Sequence, residues 1–117
     1  MHQPVPDVSR ADVERIVHRD FVPADLSRAF AILDEYQSDV GSPSRVQLAV
    51  LKLAAGDISA LRREVETAKY DYRDVLACAE YPRYRREIGF DDVPKSLKRV
   101  VIDEDWRQYE SWLRRGA

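Results

Sequence analysis

One cysteine, Cys78, is all the thiol this chain has, which rules out a disulfide within it. A reducing, cytoplasmic setting is therefore the expectation. Histidine is nearly as scarce, with only His2 and His18, too few for a histidine-rich metal cage. The glycines, Gly41, Gly56, Gly89 and Gly116, stand isolated, so no glycine-rich loop can cradle a phosphate and no nucleotide fingerprint can be drawn. No serine sits in a nucleophile-elbow setting. Uninterrupted apolar runs such as Ala29–Leu33 and Leu48–Leu51 are far too short to cross a bilayer, so no membrane partner is expected. The opening stretch MHQPVPDVSR has no basic region followed by an apolar one, and no secretory signal is expected.

A basic excess is also missing. The formal net charge is −2, with 34% charged and 44% hydrophobic residues, the balance of a globular chain. Residues 45–88 carry nine basic against seven acidic side chains. Nucleic-acid binders concentrate a larger surplus on one face, so a nucleic-acid partner is disfavoured. A length of 117 residues suits one domain able to bury a core without staples.

What is present is helical periodicity. Residues 1–8, with Pro4 and Pro6, read as a disordered or extended arm, and residues 9–117 as a single helical domain. Ser9 with Asp12 gives a capping pattern for a first helix that turns Val13, Ile16 and Val17 inward. Pro23 suits the first turn of a second, in which Leu26, Phe30, Leu33 and Tyr36 recur at steps of three and four. Ser42-Pro43 opens a third, ending at Ala55, whose apolar residues point in most directions, as in a buried helix. Gly56 closes it and Asp57 caps the next.

The segment 57–81, DISALRREVETAKYDYRDVLACAEY, reads as one long central helix. Ile58, Leu61, Val65, Ala68, Tyr72, Val75 and Ala79 form a core seam. A second stripe of Arg63, Thr67, Tyr70, Asp74, Ala77, Cys78 and Tyr81 lies roughly opposite, and the C-terminal helix is expected to cover it. Arg62, Glu66, Lys69, Arg73 and Glu80 form a charged face between them. Pro82 ends the regular stretch. After a connector with Gly89, a last helical region runs from Pro94 to Arg114, with Ile102, Trp106, Tyr109 and Leu113 inward. Leu97 and Val100 lie off that stripe, which suggests a bend near Asp103. The expected fold is all-α, a compact bundle of five or six helices around the central long helix 57–81.

Chemistry-bearing residues are weaker signals. Glu14 and His18, four apart on a helix, are spaced to share an ion, but no second such pair exists, so no metal and no cofactor is expected. Cys78 falls near a helix C-terminus, where the dipole raises a thiol pKa, and reads as a packing residue. Asp71 and Asp74 would serve acid–base chemistry only if burial separated their pKa values. Asp91-Asp92 and Asp103–Asp105 suit helix capping. No catalytic residue is assigned, and an enzyme with a buried carboxylate pair is only a second alternative.

One recognition cluster stands out: Tyr81, Arg83, Tyr84, Arg85 and Arg86, with Tyr70 upstream. Arginine with tyrosine suits protein hot spots and also base stacking with phosphate contacts. The competing explanation packs the tyrosines over a helix end and pairs the arginines with local acids.

Glu66 to Pro82, ETAKYDYRDVLACAEYP, and Asp105 to Leu113, DWRQYESWL, resemble segments of small helical bacterial proteins of unassigned function. The resemblance implies a bacterial, soluble, largely helical protein and brings no site residue with it. The reading that follows is a non-enzymatic module binding another protein, or itself, through the candidate surface Tyr70, Tyr81, Arg83, Tyr84, Arg85 and Arg86. Weak nucleic-acid binding through Arg83–Arg86 is the alternative.

Overall fold

A computed structural model describes residues 5–37, 43–89 and 93–116. Among them are six α-helices and no strand: α1 (Arg10–Asp20), α2 (Leu26–Asp34), α3 (Ser44–Ala54), α4 (Ile58–Glu80), α5 (Pro82–Glu87) and α6 (Lys95–Arg114). The all-α architecture expected from periodicity is what forms. Gly41, Ser42, Asp91 and Asp92, expected as a breaker, a cap and a capping pair, lie outside the described residues, as do residues 1–4 of the arm. No helix is long and apolar enough to cross a membrane among the described residues.

α1 starts as its sequence dictates, with the Ser9 backbone N–H donating to Asp12 Oδ2 at 2.9 Å. Pro23 opens a turn of 3-10 helix, Pro23–Asp25, which runs into α2. α3 is the buried centre: Val46, Leu48, Ala49, Val50, Leu51 and Ala54 are all shielded, and α4 is its main neighbour. α1 packs on α3 through Val13, Ile16 and Val17, which are fully buried. Arg19 fastens the two ends of the chain together. Its guanidinium lies 5.2 Å from the Trp112 ring centroid and donates to the carbonyls of Trp112 (2.6 Å) and Arg115 (2.9 Å). It thereby satisfies acceptors that the end of α6 leaves open.

The α3–α4 turn is tight. Ala55 (φ 51°) and Gly56 (φ 83°) are both left-handed, and the Asp57 carboxylate then accepts from the Ala60 N–H at 3.3 Å. A Cβ on Gly56 would fall 2.6 Å from the carbonyl oxygen of Asp20. Gly56→Ala should therefore destabilise by about 2 kcal/mol or more, through a disfavoured φ and a backbone clash together. Ala55→Gly relieves a left-handed alanine and should stabilise by up to about 1 kcal/mol. Urea unfolding of the two variants checks both signs.

α4 departs from the single straight rod expected. Asp71 has φ −152° and ψ 86°, so the helix is broken there into two stacked segments. The Asp71 carboxylate accepts from the Arg73 N–H at 3.2 Å, acting as an N-cap for the second segment. The break corrects one seam position: Tyr72, expected inward, is 43% exposed, whereas Leu61, Val65, Ala68, Val75 and Ala79 are buried. No break interrupts α6 near Asp103. Leu97 and Val100 are simply exposed on a continuous helix.

Candidate functional site

The second segment of α4, residues 72–80, and α5 meet at Tyr81 and enclose a cleft of about 660 Å³. Pro82 takes the first position of α5, where its missing N–H costs nothing. The first turn of α5 is held from another helix: Asp105 on α6 accepts from the N–H groups of Arg83 (3.1 Å, Oδ1) and Tyr84 (2.8 Å, Oδ2). The sequence suggests Asp105 as a cap of its own helix. It lies instead in the middle of α6, almost fully buried, and caps α5.

The cleft is lined by Leu76, Ala77, Tyr81, Tyr84 and Gly89 together with the charged Arg73, Asp74 and Arg85. At the back, Glu80 joins Arg45 of α3 in a two-pronged ion pair, Nε–Oε2 at 2.9 Å and Nη2–Oε1 at 2.7 Å. Glu80, placed on the wet charged face by the wheel, is 1% exposed, while the Arg45 side chain is 34% exposed. Burial of a carboxylate is tolerated only because the guanidinium meets both oxygens. The hydrogen bond to Glu80 raises the Arg45 pKa. Gln108 adds a further tie, its Nε2 donating to the carbonyls of Ala79 (3.2 Å) and Glu80 (3.4 Å).

The candidate surface residues separate. Tyr70 is 95% exposed, whereas Tyr81 is 6% exposed and belongs to the interior. Tyr84 and Arg85 line the cleft with Tyr81. The three arginines each meet acids: Arg83 pairs with Glu87 (2.7 Å) and Glu104, Arg85 with Asp74, and Arg86 with Glu87 at 3.6 Å. The C-terminal helix does not close over the second stripe. α5 covers only its lower end, leaving Tyr70, Thr67 and Arg63 exposed.

Burial pushes the Tyr81 phenol up to about 12, with Glu80 reinforcing the shift, and pushes Tyr109 up as well. The folded chain thus holds these protons to higher pH than the unfolded chain, whose phenols titrate near 10. Stability present below pH 10 is therefore lost as pH rises through 12, by ~2–3 kcal/mol from Tyr81 alone. Thermal unfolding from pH 8 to 11.5, compared with Tyr81→Phe, should show a shallower alkaline loss in the variant.

Burial likewise raises the Cys78 thiol, consistent with its reading as a packing residue. Asp71 is exposed and the Asp74 side chain is 39% exposed, so these two acids form no buried pair. Glu14 approaches Arg10 at 3.9 Å and the His18 ring packs on Phe30, with centroids 5.8 Å apart. No group of three or more His, Cys, Asp or Glu is placed to hold a metal ion among the described residues.

Sequence reasoning missed Arg45, whose place in a buried helix gave no hint of its partner 35 positions away. It also missed a second groove of about 640 Å³ between α1 and the end of α6, lined by Arg15, His18, Arg19, Arg114 and Arg115 with Asp12 the one carboxylate. Its residues come from opposite ends of the chain, so no local charge run betrayed them. No family model, curated protein or solved structure matches this chain.

Proposed function

We propose that the protein is a non-enzymatic interaction module that docks a protein on the face made by the second segment of α4 and by α5. The observation that carries this reading is Tyr70, 95% exposed one residue before the break that leads into the cleft-lining segment of α4. A large amphipathic side chain presented whole to solvent is what an interface anchor requires. Both cleft carboxylates are already answered, Glu80 by Arg45 and Asp74 by Arg85, which leaves Arg73 as the lining charge with no ion pair among the described residues. A cytoplasmic, bacterial setting fits the single cysteine and the resemblance noted above.

The test is site-specific photo-crosslinking in the producing cell, with a benzophenone amino acid at position 70 or 84 and at control positions 62 and 99. Protein adducts from 70 and 84 and none from the controls are expected. Equal labelling from all four positions, or none, contradicts the reading.

A second reading, nucleic-acid binding, is favoured by the excess of basic over acidic side chains lining the α1–α6 groove, where Arg15, Arg19 and Arg114 meet Asp12, Asp20 and Glu110 just as Arg83–Arg86 meet their own acids. It predicts a low-salt gel shift that Arg114→Glu/Arg115→Glu abolishes, with affinity falling steeply as salt rises. No shift at low salt removes it.

A further inference from the structure

We infer that the cleft between the second segment of α4 and α5 is a binding site for a small organic acid, a single carboxylate carried on an apolar, ring-sized body. The inference goes beyond protein docking on this face and does not depend on it.

The charges of the cleft do not balance. The guanidinium groups of Arg45, Arg73 and Arg85 line it against two carboxylates, Glu80 and Asp74. Arg45 engages Glu80 through Nε and Nη2, and Arg85 engages Asp74 through Nη2. Arg73 is exposed and has no ion pair among the described residues. Its guanidinium lies 5.8 Å from the Tyr72 ring centroid, and a neutral ring offers it no counter-charge. The surplus is one positive charge, and it falls on the arginine without an acid.

The uncharged lining includes Leu76, Ala77, Tyr81 and Tyr84. At about 660 Å³ the cleft falls within the roughly 300–1,000 Å³ of small-molecule sites. A ligand that covers the apolar lining also displaces water from the charges beside it. The two ion pairs tolerate this, because each charge keeps its partner. Arg73 does not, since a cation stripped of water needs an anion. An uncharged apolar ligand would leave Arg73 unanswered, and inorganic phosphate would leave Leu76 and Ala77 bare. A carboxylate beside an apolar body meets both needs, and its one charge matches the one surplus cation.

The spacing along α4 fits such a molecule. Arg73, Ala77 and Glu80 recur at steps of four and three, on one side of the segment that follows the break. Arg73 stands at one end of this line and the Arg45–Glu80 pair at the other, about 10 Å apart at 1.5 Å per residue. That is close to the length of a three-carbon acid bearing a phenyl ring. The acid group belongs at Arg73 and the ring over Ala77.

The experiment is a titration of the full chain with hydrocinnamate, followed by backbone amide chemical shifts, with circular dichroism to confirm that each variant folds. Saturable shifts centred on residues 73–77 and 84–85 are expected, with a Kd of about 1 mM or tighter. The uncharged amide of the same acid should bind about tenfold more weakly, and so should acetate, which has the charge without the body. Arg73→Gln should weaken the acid about tenfold and leave the amide unchanged. Arg62→Gln, the same loss of charge at an exposed site on the first segment of α4, should change neither.

No saturable shift up to about 20 mM acid overturns the inference. So do equal affinities for acid and amide, tighter binding of inorganic phosphate, or an Arg73→Gln variant that binds the acid as the parent does. A blocked peptide with glutamate beside phenylalanine that binds more tightly than the free acid also overturns it, and gives the cleft to a protein chain. Crosslinking from position 70 tests docking separately, since Tyr70 lies outside the cleft lining.

Discussion

Arg45→Met is expected to be among the most damaging single changes in the molecule, lowering unfolding free energy by about 3 kcal/mol and the melting temperature by roughly 10 °C. The reason is asymmetry of burial. Glu80 is 1% exposed, so removing Arg45 leaves a nearly buried carboxylate without its counter-ion. Arg45 is a third exposed, so after Glu80→Gln its guanidinium can turn outward, and the loss should be smaller, ~1–2 kcal/mol. The double variant Arg45→Met/Glu80→Gln should be more stable than Arg45→Met alone, because it removes the stranded charge. A denaturation cycle over the four proteins measures this, and additive losses would show that the pair is not coupled.

Asp105→Ala should cost about 2–3 kcal/mol and act on the site as well as on stability. It deprives the N–H groups of Arg83 and Tyr84 of a charged acceptor in a partly buried position. α5 has only six residues and cannot hold itself as a helix without its cap. Its loosening removes one wall of the cleft, so the variant should both melt earlier and lose association through this face. Asp105→Asn retains an acceptor oxygen and should recover about half the stability. Amide exchange at Arg83 and Tyr84 is the direct readout: protection lost in Asp105→Ala and partly kept in Asp105→Asn. Unchanged protection would mean that α5 is held by something else.

The helices were legible in the sequence because each is written in nearby residues. Ser9 with Asp12, Pro23, Gly56 with Asp57, and Pro82 all act within a turn of where they stand. The seam of α4 was legible for the same reason. The break at Asp71 was also local and still escaped notice, since Asp71 followed by Asp74 repeats the capping pattern credited at Ser9 and Asp12. An apolar periodicity that runs unbroken through residues 65–79 masked it, because both segments face the same core.

The site was less legible because its ties are tertiary. Arg45 meets Glu80, and Asp105 meets the start of α5, across 35 and 22 residues. A wheel drawn on one helix assigns Glu80 to solvent because it cannot see the arginine arriving from α3. The aromatic–arginine cluster showed the converse. Its residues are adjacent in sequence, yet the fold buries Tyr81, turns Arg83 to α6 and sends Arg85 across the cleft.

The most direct test of docking through this face is hydrogen exchange across residues 70–78, measured on the protein alone and in extract of the producing cell at constant pH and temperature. Exchange in this stretch is expected to slow in the extract, with residues 95–100 on the exposed start of α6 unchanged, and no slowing in Tyr70→Ala. Exchange in residues 70–78 that is the same in both, while another surface becomes protected, would contradict it.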